Sequence, residues 1–160
     1  MRLFLLVVSF LIMAGLFIKM ERADMELVSK SGYGMGALQS AQSERKASVV
    51  INSWNGELKE EAKQILLLDF GFMIFGYGFF MFSIGLALKS MTLTVAPILA
   101  IIFDFLENLL QLEAMTMVNY SLIPVASIFS AFKFAFLILF ALILCYVLFT
   151  KYIMKRMQHT

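Results

Sequence analysis

Between Ile101 and Gln111 an apolar segment of membrane-spanning length is interrupted by Asp104, Glu107, Asn108 and Gln111. An ionised side chain held at mid-bilayer costs about 2.5–3.5 kcal/mol on insertion scales, so such groups face protein or water and find partners. On a helix these four positions fall at i, i+3, i+4 and i+7, which places them on one stripe. That stripe needs covering by neighbouring helices. A chain that carries it is expected to fold as a bundle with a polar interior.

Composition agrees with a membrane setting. Of 160 residues, 61% are hydrophobic and only 15% charged, and the mean hydropathy of +0.88 lies outside the range of ordinary soluble domains. The expected fold class is an all-α membrane protein: a four-helix transmembrane bundle with one long extracytoplasmic loop, forming a single domain over 1–160. A net charge of +2, with no basic run interleaved with aromatics, argues against nucleic acid as a partner. Cys145 is the only cysteine and lies in an apolar run, so it reads as a packing residue, with no disulfide and no zinc motif. His159, the only histidine, sits in the polar C-terminal tail and reads as solvated. No metal and no cofactor are expected.

In chain order, Leu3 to Ile18 follow Arg2 and have the length and charge of either a signal peptide or a short transmembrane helix. No small-x-small site closes the run, so it reads as an uncleaved first helix. Spans are expected at about 3–19, 66–88, 92–112 and 123–150, with the extracytoplasmic loop at about 20–65. Within that loop Gly32-Tyr-Gly34-Met-Gly36 reads as a turn without phosphate-loop spacing, and Ala37 to Asn52 reads as one short helix. Asn55 is a candidate N-cap followed by Glu57, Glu60 and Glu61, acids that the helix dipole favours. Trp54 reads as an interfacial anchor at headgroup level. The helix that begins at Gly56 has no breaker through Leu88, and its glycines at 71, 78 and 85 suggest a stripe for close approach of another helix. Lys89-Ser90 is a tight connection, Pro97 falls near the start of the third span, and Asn119-Tyr-Ser121 fits a glycosylation sequon in a loop too short and too near the membrane to favour that use. Arg2, Lys89, Lys151, Lys155 and Arg156 share one side of a four-span chain, which predicts that both termini are cytoplasmic.

Four charges fall inside spans, and their depths coincide. Asp69 lies about 9 Å in from Lys63, Glu107 and Asp104 about 9 and 14 Å in from Glu113, and Lys133 about 14 Å in from Pro124. The candidate site is therefore a ligand-binding, proton-binding or purely structural cluster of Asp69, Asp104, Glu107, Asn108 and Lys133, drawn from three helices into the outer half of the membrane. Three carboxylates against one lysine leave excess negative charge, to be offset by a proton, a cation or a donor-rich ligand. Lys133 is expected to pair with Asp104 or Glu107. No Ser-His or Cys-His arrangement exists, so any catalysis would rest on carboxylates and lysine.

The order Asn52-Ser-Trp54, Leu68-Asp69-Phe70-Gly-Phe72 and Asp104-Phe-Leu-Glu107-Asn108 resembles a family of small four-span bacterial membrane proteins with no assigned activity. The resemblance implies the same topology and a bacterial cytoplasmic (inner) membrane, and nothing about chemistry. A looser similarity to four-helix sterol-isomerase and sterol-binding proteins carries no residues over. The expected function is non-enzymatic: a partner-binding or lipid-binding accessory subunit centred on the polar cluster, its partners the lipid bilayer and another membrane protein or a lipid-like ligand. The alternatives are a carboxylate-based enzyme acting on a lipid or isoprenoid and a proton-coupled transporter subunit.

Overall fold

The computed structural model describes residues 2–153; the readings placed on Lys155, Arg156 and His159 lie outside them. The described residues are helical throughout apart from short turns, with no strand. In order come α1 (Arg2–Ser31), α2 (Met35–Gln39), α3 (Glu44–Ser53), α4 (Gly56–Phe72), a π-helical segment (Met73–Met81), α5 (Phe82–Leu88), α6 (Met91–Met117) and α7 (Leu122–Leu148), which ends in a further π turn (Phe149–Ile153). Four continuous helices, Phe4–Ser31, Gly56–Leu88, Met91–Met117 and Leu122–Lys151, are long and apolar enough to cross a membrane.

Local chemistry explains most of these boundaries. The apolar run of the first helix stops near Ile18, yet α1 continues to Ser31, because nothing in the sequence breaks it before Gly32. Gly32 takes φ +80, the left-handed conformation that glycine adopts without cost, and its N–H bonds back to the Val28 carbonyl at 2.8 Å. The single helix expected over Ala37 to Asn52 is instead two. Ser43 has extended backbone and accepts from the Lys46 N–H, capping a fresh start at Glu44. Asn55 caps α4, its Oδ1 accepting from the Leu58 N–H at 2.9 Å. Lys89 (φ 54) closes α5, and Ser90 then caps α6 by accepting from the Leu93 N–H. The chain thus reverses within two residues.

The long helices lie in sequence order, α1 on α4 and the π segment, those on α6, and α6 on α7. Burial follows this order: 33% and 39% of the apolar windows of the two middle helices are buried, against 6% and 11% for the first and last. The residues between α1 and α4 do not float on the helix ends. Leu27, Leu38, Ile51, Trp54 and Leu66 join Met115 and Ile123 in one apolar core that caps one end of the bundle, and the Ser127 hydroxyl on α7 donates to the Ala41 carbonyl at 3.0 Å. A segment too short for its own core completes one by borrowing the ends of α4, α6 and α7.

The glycine stripe is corrected by the π segment. A Cβ at Gly71 would meet Leu16 on α1, whereas at Gly78 it would meet Ile101, and at Gly85 the backbone of Leu93, both on α6. A π turn takes more residues than an α turn, so a seven-residue interval that spans it no longer returns to the same face. Trp54 is corrected as well. It is 2% exposed, and its indole N–H donates to the Tyr33 carbonyl at 3.0 Å. Packing within the cap has displaced the headgroup contact that its composition suggested.

Candidate functional site

The buried face of α6 runs from Leu93 to Met115 in steps of three and four residues, and its central positions are Asp104, Glu107, Asn108 and Gln111. All four are 0% exposed. The stripe expected from spacing is thus the line along which α6 meets its neighbours. Asp69 (7% exposed) reaches it from α4, and Lys133 (4%) from α7, where Ser130, one turn earlier on the same face, is also buried.

Two short chains of polar contacts result. The Lys133 Nζ lies 2.8 Å from Asp104 Oδ1, donating to it, and 2.7 Å from Glu107 Oε2. The other oxygen of Glu107 accepts from Gln111 Nε2 at 2.9 Å. The second chain links α6 to α4: Asn108 Nδ2 donates to Asp69 Oδ2 at 2.9 Å. Asp69, Asp104, Glu107, Asn108 and Lys133 are therefore all brought together, and the lysine ion-pairs with both of its candidate acids rather than one, with a hydrogen bond to Asp104. Ion pairs this dry are strong only with such geometry, because the desolvation of each charge opposes the attraction.

Donors run short at the centre. Asp104 Oδ2, Asn108 Oδ1 and Gln111 Oε1 have no hydrogen-bond partner among the described residues. The two amides cannot be turned round to relieve this, since their N–H groups already serve carboxylates. A buried acceptor without a donor costs about 1–3 kcal/mol. Among the described residues Asp69 makes no salt bridge, and its side-chain hydrogen bond comes from the neutral amide of Asn108.

Below the cluster, Tyr77 on the π segment packs with Met73 and Ala100, one turn of α6 from Asp104. Above it, a crevice of about 190 Å³ opens between α1, α2 and α4 and ends at Asp69, with Glu21, Asp24 and Gly36 along its wall. Asp24 also accepts from the Met35 N–H at the start of α2. Gly34 leaves room for this: a Cβ there would sit 2.6 Å from Asp24 Oδ1. Sequence reasoning read Gln111 only as part of the stripe and missed Ser130, Tyr77, Glu21 and Asp24. Gln111 and Ser130 carry a signal, spaced four and three residues from Glu107 and Lys133 on the same helix faces. Tyr77 lies two turns along the same continuous helix as Asp69, across the π segment that shifts its face, and the crevice acids carry no signal, because only the packing of α1 against α4 brings them near Asp69. No family model, curated protein or solved structure matches this chain.

Proposed function

We propose that the chain is a non-enzymatic integral membrane protein, an accessory subunit that binds a partner membrane protein or a lipid-like ligand through its outer faces while the polar cluster locks its interior. The observation that carries this reading is the closure of the cluster. Asp104 and Glu107 are wholly buried and both held by Lys133, and neither lines the crevice that stops at Asp69. Catalysis on a lipid would need a space of a few hundred Å³ beside those acids.

The outer surfaces support the same reading. Helices as bare as α1 and α7 are comfortable beside acyl chains or another protein's helices and not beside water. Between the π segment and α6 an apolar groove of about 360 Å³, lined by Phe70, Ile74, Phe79, Ile101 and Phe105, offers a seat for such a partner. In this proposal the capped end faces outward and the end bearing Lys89 and Lys151 faces the cytoplasm of a bacterial cell, in keeping with the excess of basic residues there.

Native mass spectrometry after mild extraction tests the proposal, with Glu107→Gln as the comparison. A defined complex with another chain, or a retained lipid, unchanged by the substitution, supports it. A specific small molecule bound to the native protein and lost from Glu107→Gln would refute it, because the acids would then be the ligand site.

A further inference from the structure

The cluster is short of donors and of positive charge, and one of its members is reached from outside. Glu21 and Gly36 are exposed at the mouth of the crevice, Asp24 is half-buried along it, and Asp69 forms its floor. None of the residues lining it is a lysine or arginine. An acidic cleft with low-dielectric walls draws cations inward. At its end the Asp69 and Asp104 carboxyl groups stand close to one another, and Asp104 Oδ2 and Asn108 Oδ1 have no donor. Two carboxylates sharing a dry site repel unless a positive charge lies between them. The described residues place no group of three or more acids, histidines or cysteines to hold a metal ion.

We infer that the crevice delivers a proton from the capped face of the bundle to Asp69, and that the unpartnered acceptors on α6 hold it there. A hydronium ion in the crevice gives up one O–H bond, a new O–H bond forms on an Asp69 oxygen, and a water molecule is left behind. The protonated carboxyl supplies one O–H donor, enough for one of the two unpartnered acceptors, Asp104 Oδ2 or Asn108 Oδ1. The titratable and charged groups facing Asp69 are Glu21 and Asp24 from α1, Asp104 and Glu107 from α6, Lys133 from α7 and Tyr77 from the π segment; α2 contributes the neutral Gln39. The lysine is already committed to Asp104 and Glu107, and among the described residues the side-chain hydrogen bond that Asp69 accepts comes from the neutral amide of Asn108. Proton loading is independent of the accessory role proposed above and would accompany any partner.

The test is infrared difference spectroscopy of the full chain in lipid nanodiscs, following the carbonyl stretch of protonated carboxyl groups through a pH titration and after transfer to heavy water. The probe is the solvent proton, with sodium varied separately at fixed pH. The native protein is expected to show a titrating carboxyl signal that shifts promptly in heavy water, and Asp69→Asn to lose it. Gly36→Leu keeps the test valid if Asp69→Asn folds poorly. Gly36 lines the crevice at its exposed end, and a Cβ there meets nothing within 4 Å, so a larger side chain adds bulk at the mouth without a clash and away from the α6 cluster. Its signal should keep full amplitude and exchange more slowly. The inference is overturned by a native protein without such a signal, by an undiminished signal in Asp69→Asn, by unchanged exchange in Gly36→Leu, or by a response to sodium in place of pH.

Discussion

Lys133→Met removes an ammonium while keeping a stem of similar length, and the structure sets the size of the result. The lysine holds Asp104 at 2.8 Å and Glu107 at 2.7 Å, with side-chain exposures of 5% for the lysine and 0% for each acid. Water therefore does little to screen what is lost. Removing one partner of a buried pair costs about 3–5 kcal/mol, because the other charge stays behind uncompensated. That corresponds to roughly two to four powers of ten in the unfolding equilibrium. Here two carboxylates are left behind, so the upper end is expected. The assay is reversible unfolding in mixed micelles, followed by the emission of Trp54, the chain's one tryptophan. Combining Lys133→Met with Asp104→Asn and Glu107→Gln should recover most of the loss, since replacing a whole buried network by neutral groups is often tolerated. A single Lys133→Met that unfolds within about 1 kcal/mol of the native protein would refute the reasoning, for that is the worth of a solvated ion pair.

Three further outcomes follow from particular contacts. Gly85→Ala should destabilise by about 1–3 kcal/mol or more in the same unfolding assay, because its Cβ would sit 2.5 Å from the Leu93 carbonyl oxygen, whereas Gly15→Ala, with nothing within 4 Å, should not. Val118 is a β-branched residue at φ 56 and is exposed, so Val118→Gly should stabilise by about 1 kcal/mol, measured as a shift of the unfolding midpoint. Trp54 emission should resist quenchers attached to lipid headgroups, since the indole is buried in the cap; Trp54→Phe should cost about 1–3 kcal/mol through the lost bond to Tyr33 and the space left behind.

Much of the candidate site was legible in the sequence, for one reason. A polar group is so costly in an apolar segment that its position already states which way it must face. Helical spacing put Asp104, Glu107, Asn108 and Gln111 on one stripe, and depth from the helix ends put Asp69 and Lys133 at the same level; these residues do meet. Caps were legible too where the signal is local, as at Asn55 and at the Lys89-Ser90 reversal. Reading failed where apolarity stood in for helicity, so that α1 was ended near Ile18 and not at Ser31. It failed again where one helix face was assumed to stay in phase through Met73–Met81.

By itself the sequence determined four long apolar helices, the polar stripe on the third of them, and the need of that stripe for partners from its neighbours. These follow from side-chain chemistry and helical periodicity, both readable within a few turns of one helix. Only the tertiary structure decided that one lysine serves two acids, that Trp54 is buried in a cap built on borrowed helix ends, and that a crevice reaches Asp69 and stops there. Each of these depends on distances between residues far apart in the chain. Such distances are set by how the helices pack, and no local pattern records them.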